Sequence, residues 1–468
     1  MAPFIATIVY CIGIAGLFSL NRDEKARTSK ALWIPVIWIM IIGSRAVSSW
    51  FQNGPTLASV AAQYQEGSPV DAAIFGLLEI AAFAVLVRRR KVVTKFLVSN
   101  WPILVFLSFC LLSTFWSDFT FVALKRWSKS IGDYAMVLLI LTDEDPVAAT
   151  KRVLLRVGFI LIPVSILLIK YYPNLGRSYN PWTWEPMYGG VTTFKNELGM
   201  TTLVCALAVM WSFVGVWRDR KAPHRWKKLA SLGVVMAMSI WIFKIADSMT
   251  SLACFVLAGT VLFLSRQRWL IRKPLLIHVM VVGTVVLAVV ALFFDSSGAM
   301  VGTLGRNTTL TGRTQIWGIV LGLVQNPLIG CGFESFWLGD RLQAVWAFEK
   351  GIQEAHNGYI EMYLNLGWVG LSLLAMIVVV GYRNVMSVFR QNPELGSIKV
   401  GYFITGLIYS LTEAGFRSLS IAWVAFLLAI MVIPPGVLKK KGAKPAHEAK
   451  PEPVKRYPAF VAARGEHF

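Results

Sequence analysis

The run Glu354-Ala355-His356-Asn357-Gly358-Tyr359-Ile360-Glu361-Met362-Tyr363-Leu364-Asn365-Leu366-Gly367 sets ionisable and hydrogen-bonding groups at the mouth of an apolar segment that continues to Val380. Such groups are costly in hydrocarbon, so they are rare there and usually functional. Three roles suit His356: general base, phosphate contact or helix cap, since His and Asn also fit helix ends. Asn357, Glu361 and Asn365 recur every four residues and therefore share one helix face. Interhelical packing through hydrogen bonds would also explain that face. A functional face is favoured because it begins beside His356.

Upstream lies Leu304-Gly305-Arg306-Asn307-Thr308-Thr309-Leu310-Thr311-Gly312-Arg313-Thr314-Gln315-Ile316-Trp317. Arg306 and Arg313 among hydroxyls and glycines suit an anionic oxygen ligand, because guanidinium binds phosphate bidentately. Anchoring to lipid headgroups explains the same arginines equally well from spacing alone. The turn residues of Asn326-Pro327-Leu328-Ile329-Gly330-Cys331-Gly332-Phe333 are expected to fold this loop back towards the membrane. Lys195-Asn196 opens another apolar run, and Lys244 sits one turn before Asp247-Ser248-Met249-Thr250-Ser251. Both lysines could face an internal cavity; Lys195 could instead snorkel to the interface. Glu413 is expected to pair with Arg417.

The elements that must position these groups are membrane helices. The chain has 468 residues, 56% of them hydrophobic and 15% charged, whereas soluble domains carry nearer ~25% charge. Apolar runs of spanning length recur from end to end, without the alternation of a barrel. The fold class expected is all-α: a polytopic helical membrane protein of about 12–13 spans with a large extracytoplasmic loop. The runs are roughly 3–20, 31–51, 70–87, 101–116, 131–142, 153–170, 197–217, 229–246, 250–265, 275–294, 357–380, 398–412 and 418–434. The short run 131–142 reads as re-entrant, and 117–130 as a helix lying in the interface. Residues 1–434, including the loop 295–356, form one transmembrane domain. Residues 435–468, rich in Lys, Pro, Ala and Glu, are expected to be a basic, disordered cytoplasmic tail.

A net charge of +21 could suggest nucleic acid, but its placement argues for topology instead. With the N-terminus outside, 33 Lys and Arg residues fall on cytoplasmic segments and 10 on outer ones. That asymmetry follows the positive-inside rule and puts His356 on the extracytoplasmic side. Cys11, Cys110, Cys205 and Cys254 lie in apolar runs and Cys331 in the long loop, so no disulfide framework is expected. The run Pro3–Leu20 lacks a basic leader and reads as a retained helix. There is no P-loop, zinc spacing, nucleophile elbow or dinucleotide fingerprint. Nucleotide-driven chemistry is not expected.

In order, Phe115-Trp116-Ser117, Lys195-Asn196-x-Leu198-Gly199, Thr311-Gly312-Arg313-x3-Trp317, Asn326-Pro327-Leu328-Ile329-Gly330-x-Gly332-Phe333 and Ala355-His356-Asn357-Gly358-Tyr359 resemble the O-antigen ligase and polysaccharide polymerase superfamily. The succinoglycan-type exopolysaccharide polymerases are the nearest branch. Each motif is weak alone, and the ordered set, over about residues 110–420, is specific. The resemblance implies glycosyl transfer from an undecaprenyl-diphosphate-linked oligosaccharide to an acceptor hydroxyl. The reaction would run at the periplasmic face of the bacterial inner membrane, with no cofactor and no required metal. It implies that Arg313 binds the donor diphosphate and that His356 activates or orients the acceptor. It adds Arg306 and Lys195 as further diphosphate contacts. Asn196, Asn357, Glu361 and Lys244 complete the expected substrate-binding set. Ligases often carry an arginine where this chain has Met249; Lys244 or Lys195 is expected to supply that charge. Phe194 likewise replaces a polar residue.

The expected partners are the lipid-linked oligosaccharide, the bilayer and other exopolysaccharide export proteins, with no nucleic acid. The expected chemistry is direct displacement with inversion: fixed cations stabilise the leaving diphosphate, and a neutral histidine near its ordinary ~6.5 takes the hydroxyl proton. A ligase acting on another acceptor is the nearest alternative. A flippase of lipid-linked sugars would need inverted repeats and broken mid-membrane helices, and no repeat is evident.

Overall fold

The computed structural model describes residues 2–22, 28–51, 67–179, 184–293 and 313–434. The tail 435–468 and Arg306 lie outside the described residues. Within them the regular secondary structure is helical apart from one short antiparallel hairpin, Arg177–Tyr179 against Pro186–Tyr188. Among the described residues each of the thirteen apolar runs contains helix, although 31–51 and 418–434 are helical only in part. Among the described residues six helices are long and apolar enough to cross a membrane: Pro3–Leu20, Pro69–Arg88, Pro146–Tyr171, Lys195–Arg218, Arg225–Ala246 and Gly358–Gln391. Arg90–Ser99 and Trp101–Trp116 meet at 84° and make a seventh if they act as one bent span. Several apolar helices are shorter, among them Met249–Ser265 and Ile421–Ile430. The protein is thus a polytopic helical membrane protein.

Proline opens many of these helices at the first or second position, where its missing N–H costs nothing. Asp145 caps Pro146–Tyr171 by accepting from Val147 N at 3.1 Å and Ala148 N at 3.0 Å. Pro3–Leu20 turns Phe4, Ile5 and Ile12 outward, an apolar surface suited to lipid. Lys195–Arg218 is a central helix, packed on Arg225–Ala246, Met249–Ser265 and Pro146–Tyr171. Pro393–Tyr409 is central too, touching Met249–Ser265, Gly358–Gln391 and Ile421–Ile430. Small residues make those approaches possible: a Cβ on Gly406 would stand 2.4 Å from the Phe426 ring. The ten-residue helix Ile421–Ile430 is wholly buried. Its orphan carbonyl ends are taken by the buried Lys399 ammonium, which donates to Ala429 O at 3.0 Å and Met431 O at 2.8 Å.

One expectation needs correction. Residues 117–130 and 131–142 are not an interfacial helix followed by a short re-entrant run; Thr120–Leu141 is one helix. The Lys and Trp residues of its first half conceal a face that is buried from Ser130 onward. There Asp133 accepts from Trp38 Nε1 at 2.9 Å and Leu419 N at 2.8 Å, tying this helix to Trp33–Ile42 and to the loop before Ile421–Ile430.

The turn-rich segment Asn326–Phe333 docks against a break in Gly358–Gln391 at Gly367, which has φ +62°. Trp368 N donates to Pro327 O at 2.9 Å and Val369 N to Leu328 O at 3.0 Å. In return Gly332 N donates to Asn365 O at 2.9 Å. The loop thus satisfies the groups that the break releases, as non-helical backbone in a membrane protein must be. Two glycines allow the approach, since a Cβ on Gly330 or on Gly367 would lie 2.4 Å from the opposing backbone.

Candidate functional site

The same helix begins under His356. Asn357 is its N-cap, with Oδ1 accepting from Tyr359 N at 3.0 Å and Ile360 N at 3.1 Å. Its amide Nδ2 donates to Leu411 O at 3.0 Å, and Gly358 N donates to Ser410 O at 2.8 Å. These bonds stitch the helix start to the loop between Pro393–Tyr409 and Ile421–Ile430. His356 is held in the left-handed region at φ +50°, uncommon for a residue other than glycine.

Glu413, on that loop and almost fully buried, is the hub. Its Oε1 accepts from Arg313 Nη2 at 2.8 Å and from Asn196 Nδ2 at 3.1 Å. Its Oε2 accepts from His356 Nδ1 at 3.2 Å. Arg313, the first residue of helix Arg313–Gly322, also donates to Thr412 O. Asn196 lies in the first turn of Lys195–Arg218. Three separated segments and the loop therefore meet at one carboxylate.

A second carboxylate completes the network. Glu354 Oε1 accepts from His356 Nδ1 at 2.9 Å, and Glu354 Oε2 lies 3.9 Å from Arg417 Nη1. Arg417 Nε lies 3.5 Å from Glu334 Oε2. The expected Glu413–Arg417 pair is thus replaced: Glu413 holds Arg313, His356 and Asn196, and Arg417 reaches Glu334 and Glu354. A small cleft of about 30 Å³ adjoins Arg417, Glu334 and Glu361.

Burial pushes the His356 imidazole down, but its hydrogen bonds to the Glu354 and Glu413 carboxylates, with their negative charge, outweigh it and lift it to about 10. His356 is accordingly an imidazolium at neutral pH. The neutral base expected from its ordinary value is therefore not the resting form. Burial pushes Arg417 down to about 10, still a cation at neutral pH.

The other expected residues separate. Glu361 belongs to the scaffold, its carboxylate accepting from Trp337 Nε1 at 2.9 Å and from Ala355 N. Asn365 is similar: its Oδ1 accepts from Ser335 N at 2.9 Å and Phe336 N at 3.0 Å. The shared face of Asn357, Glu361 and Asn365 therefore organises the loop before His356. Lys195 stands at the rim, 3.3 Å from Asp247 Oδ2. Lys244 is exposed in the last turn of Arg225–Ala246 and is not joined to the Glu413 network.

Sequence reasoning missed Arg45. Its guanidinium donates to the carbonyls of Leu175 at 2.7 Å, Gly190 at 2.9 Å, Thr192 at 2.9 Å and Val191 at 3.3 Å. It thereby fixes the segment that leads into Lys195 and Asn196.

Glu354, His356 and Glu413 each place one potential ligand atom within 4.8 Å of the others, close enough for a metal ion. Arg313 Nη2 also lies 2.8 Å from Glu413 Oε1, so the cluster already contains a side-chain cation. The arrangement is that of an ion-pair network.

Fold and site together define a polytopic helical membrane protein with a charged, loop-built site at the ends of its central helices. Residues 234–375 match the family model described as O-antigen ligase. The chain is 26% identical over 323 residues to the exopolysaccharide production protein ExoQ of Rhizobium meliloti (strain 1021), covering 66% of this chain and 71% of that one. It is 25% identical over 224 residues to a "Putative polysaccharide ligase" of Rickettsia bellii (strain RML369-C), covering 46% of this chain and 55% of that one. The matched family interval contains Arg313, Glu354 and His356 but stops short of Glu413 and Arg417.

Proposed function

We propose that this protein is a membrane glycosyltransferase that polymerises exopolysaccharide repeat units. The donor would be an oligosaccharide on undecaprenyl diphosphate, and the acceptor a sugar hydroxyl at the periplasmic face of the inner membrane. The observation that carries this reading is the convergence of Arg313, His356 and Asn196 on Glu413 at 2.8, 3.2 and 3.1 Å. The excess of basic residues on the opposite set of loops supports the orientation. Likeness to an exopolysaccharide production protein supports the substrate class.

Arg313 and the imidazolium of His356 are the groups that would bind the diphosphate. As bond breaking puts charge on the leaving oxygen, both are already fixed and charged, so little reorganisation is needed. In this reading they stand where a metal ion would otherwise be required. Lys195 and Arg306 are further candidates for the outer phosphate, and the bilayer delivers the carrier. Other exopolysaccharide export proteins would receive the product.

Purified protein incubated with a synthetic undecaprenyl-diphosphate-linked repeat should give a ladder of products longer than one repeat. A single transfer to a different acceptor, with no ladder, would instead establish a ligase. The family description and the second relative's name favour that second reading. Movement of the intact lipid-linked sugar across a vesicle membrane without transfer would make the protein a transporter.

A further inference from the structure

We propose that Glu354 accepts the proton of the attacking acceptor hydroxyl. This rests on the glycosyl-transfer reading and deepens it, because the donor side of the site already has its cations while the acceptor side still needs a base.

The carboxylates around His356 differ in what is left of them. Both oxygens of Glu413 are engaged, Oε1 by Arg313 and Asn196 and Oε2 by His356, and its side chain is 6% exposed. Glu361 is buried against Trp337 and Ala355 N. Glu334 is held by Arg417 and is 18% exposed. Of these four Glu354 is the most open, at 31%. Its Oε1 holds His356 at 2.9 Å, while Oε2 meets Arg417 only at 3.9 Å, longer than a hydrogen bond. A hydroxyl arriving beside His356 therefore finds an accessible carboxylate oxygen. His356 turns its Nδ1–H towards Glu354 and Glu413 and is held by them as an imidazolium, so the open proton acceptor beside it is the Glu354 carboxylate.

The step balances without a further reagent. The hydroxyl oxygen bonds to the anomeric carbon. The bond from that carbon to the diphosphate oxygen breaks, and its electron pair leaves with the carrier diphosphate beside Arg313 and His356. The hydroxyl proton passes to Glu354, which returns it to solvent through its exposed edge. Glu413 is a positioning residue in this scheme.

The test uses the full-length protein with the lipid-linked repeat and two nucleophiles: the sugar acceptor, which must lose a proton, and azide, which carries none. Glu354→Gln should slow transfer to the sugar about 100-fold or more, the usual scale for a general base. The same variant should form glycosyl azide within about threefold of the wild-type rate, because azide does not need the base. Glu354→Asp, which keeps a carboxylate, should retain at least about a tenth of wild-type transfer to the sugar. The proposal is overturned if the glutamine variant transfers to sugar normally. It is also overturned if the aspartate and glutamine variants lose activity equally, or if the glutamine variant loses azide and sugar transfer together. A wild-type protein that transfers to neither nucleophile would sink the glycosyl-transfer reading itself, a result distinct from these.

Discussion

Arg313 and Glu413 lie 100 residues apart in sequence and 2.8 Å apart in space, each mostly withdrawn from solvent. The pair joins the helix Arg313–Gly322, inside the long loop, to the turn between Pro393–Tyr409 and Ile421–Ile430. An arginine–carboxylate contact of this kind fixes direction as well as charge. It also leaves Arg313 with a donor set that a compact ammonium cannot copy.

Arg313→Ala and His356→Ala should each abolish high-molecular-weight polymer while leaving protein levels in the membrane intact. Immunoblotting beside polymer electrophoresis checks both. Normal polymer length in either variant would remove that residue from its assigned role.

Arg313→Lys should fail nearly as badly. The guanidinium reaches Glu413 Oε1 and Thr412 O together, and a lysine offers a point charge in place of that fork. At least a tenfold fall in polymerisation rate is expected, on the order of 1.4 kcal/mol in the barrier. A lysine variant with wild-type rate would mean that charge alone suffices.

Glu413→Ala should destabilise the fold by roughly 3–5 kcal/mol, because it leaves buried Arg313 without its partner. Glu413→Gln keeps acceptor and donor atoms and should cost clearly less. Thermal unfolding in detergent, followed by intrinsic fluorescence, would order the three proteins. Equal midpoints for both variants would argue against the hub role.

The His356 value of about 10 lies above the ordinary imidazole value. A group raised on folding stabilises the protein fully below its unfolded value of ~6.5, and that stabilisation is lost as pH rises through about 10. Wild type should therefore lose its stability advantage over His356→Gln between neutral pH and pH values above 10. Melting curves across that range would detect it. A resting neutral base would instead show its transition near ~6.5.

Gly367→Ala should lower the yield of folded protein. The residue has φ +62°, and a Cβ there would stand 2.4 Å from Leu328 backbone. Fluorescence-detected size exclusion of a tagged chain would show loss of the monodisperse peak. The effect should far exceed that of Gly76→Ala, where a Cβ meets nothing within 4 Å.

The helices were legible because hydrophobic spacing survives any tertiary arrangement. Thr120–Leu141 was misread because its Lys and Trp residues imitate an interfacial helix, while the buried Asp133 is satisfied from outside the helix. The turn glycines of the 326–333 segment announced a fold-back, but not the helix break into which it docks. His356 and Arg313 stood out by residue type. Glu413 did not, because its partners lie 57, 100 and 217 residues away and its neighbour Arg417 offered a simpler pair. A carboxylate at the end of an apolar run was the signal available, the same one that drew attention to Glu361. In Glu361 that signal marked a scaffold group, since Trp337 and Ala355 consume its acceptors.

The network sets Arg313, His356 and Arg417 against Glu354, Glu413 and Glu334, and at the rim Lys195 against Asp247. Cations and carboxylates are matched in number among these residues. A site so balanced projects little field beyond its mouth, so it would not draw a diphosphate from a distance as an open basic groove does. Capture would depend on partner exchange at contact, with phosphate oxygens competing for donors that carboxylates already hold. Its rate should then vary little with ionic strength, and discrimination would fall to ligands already confined to the membrane beside it.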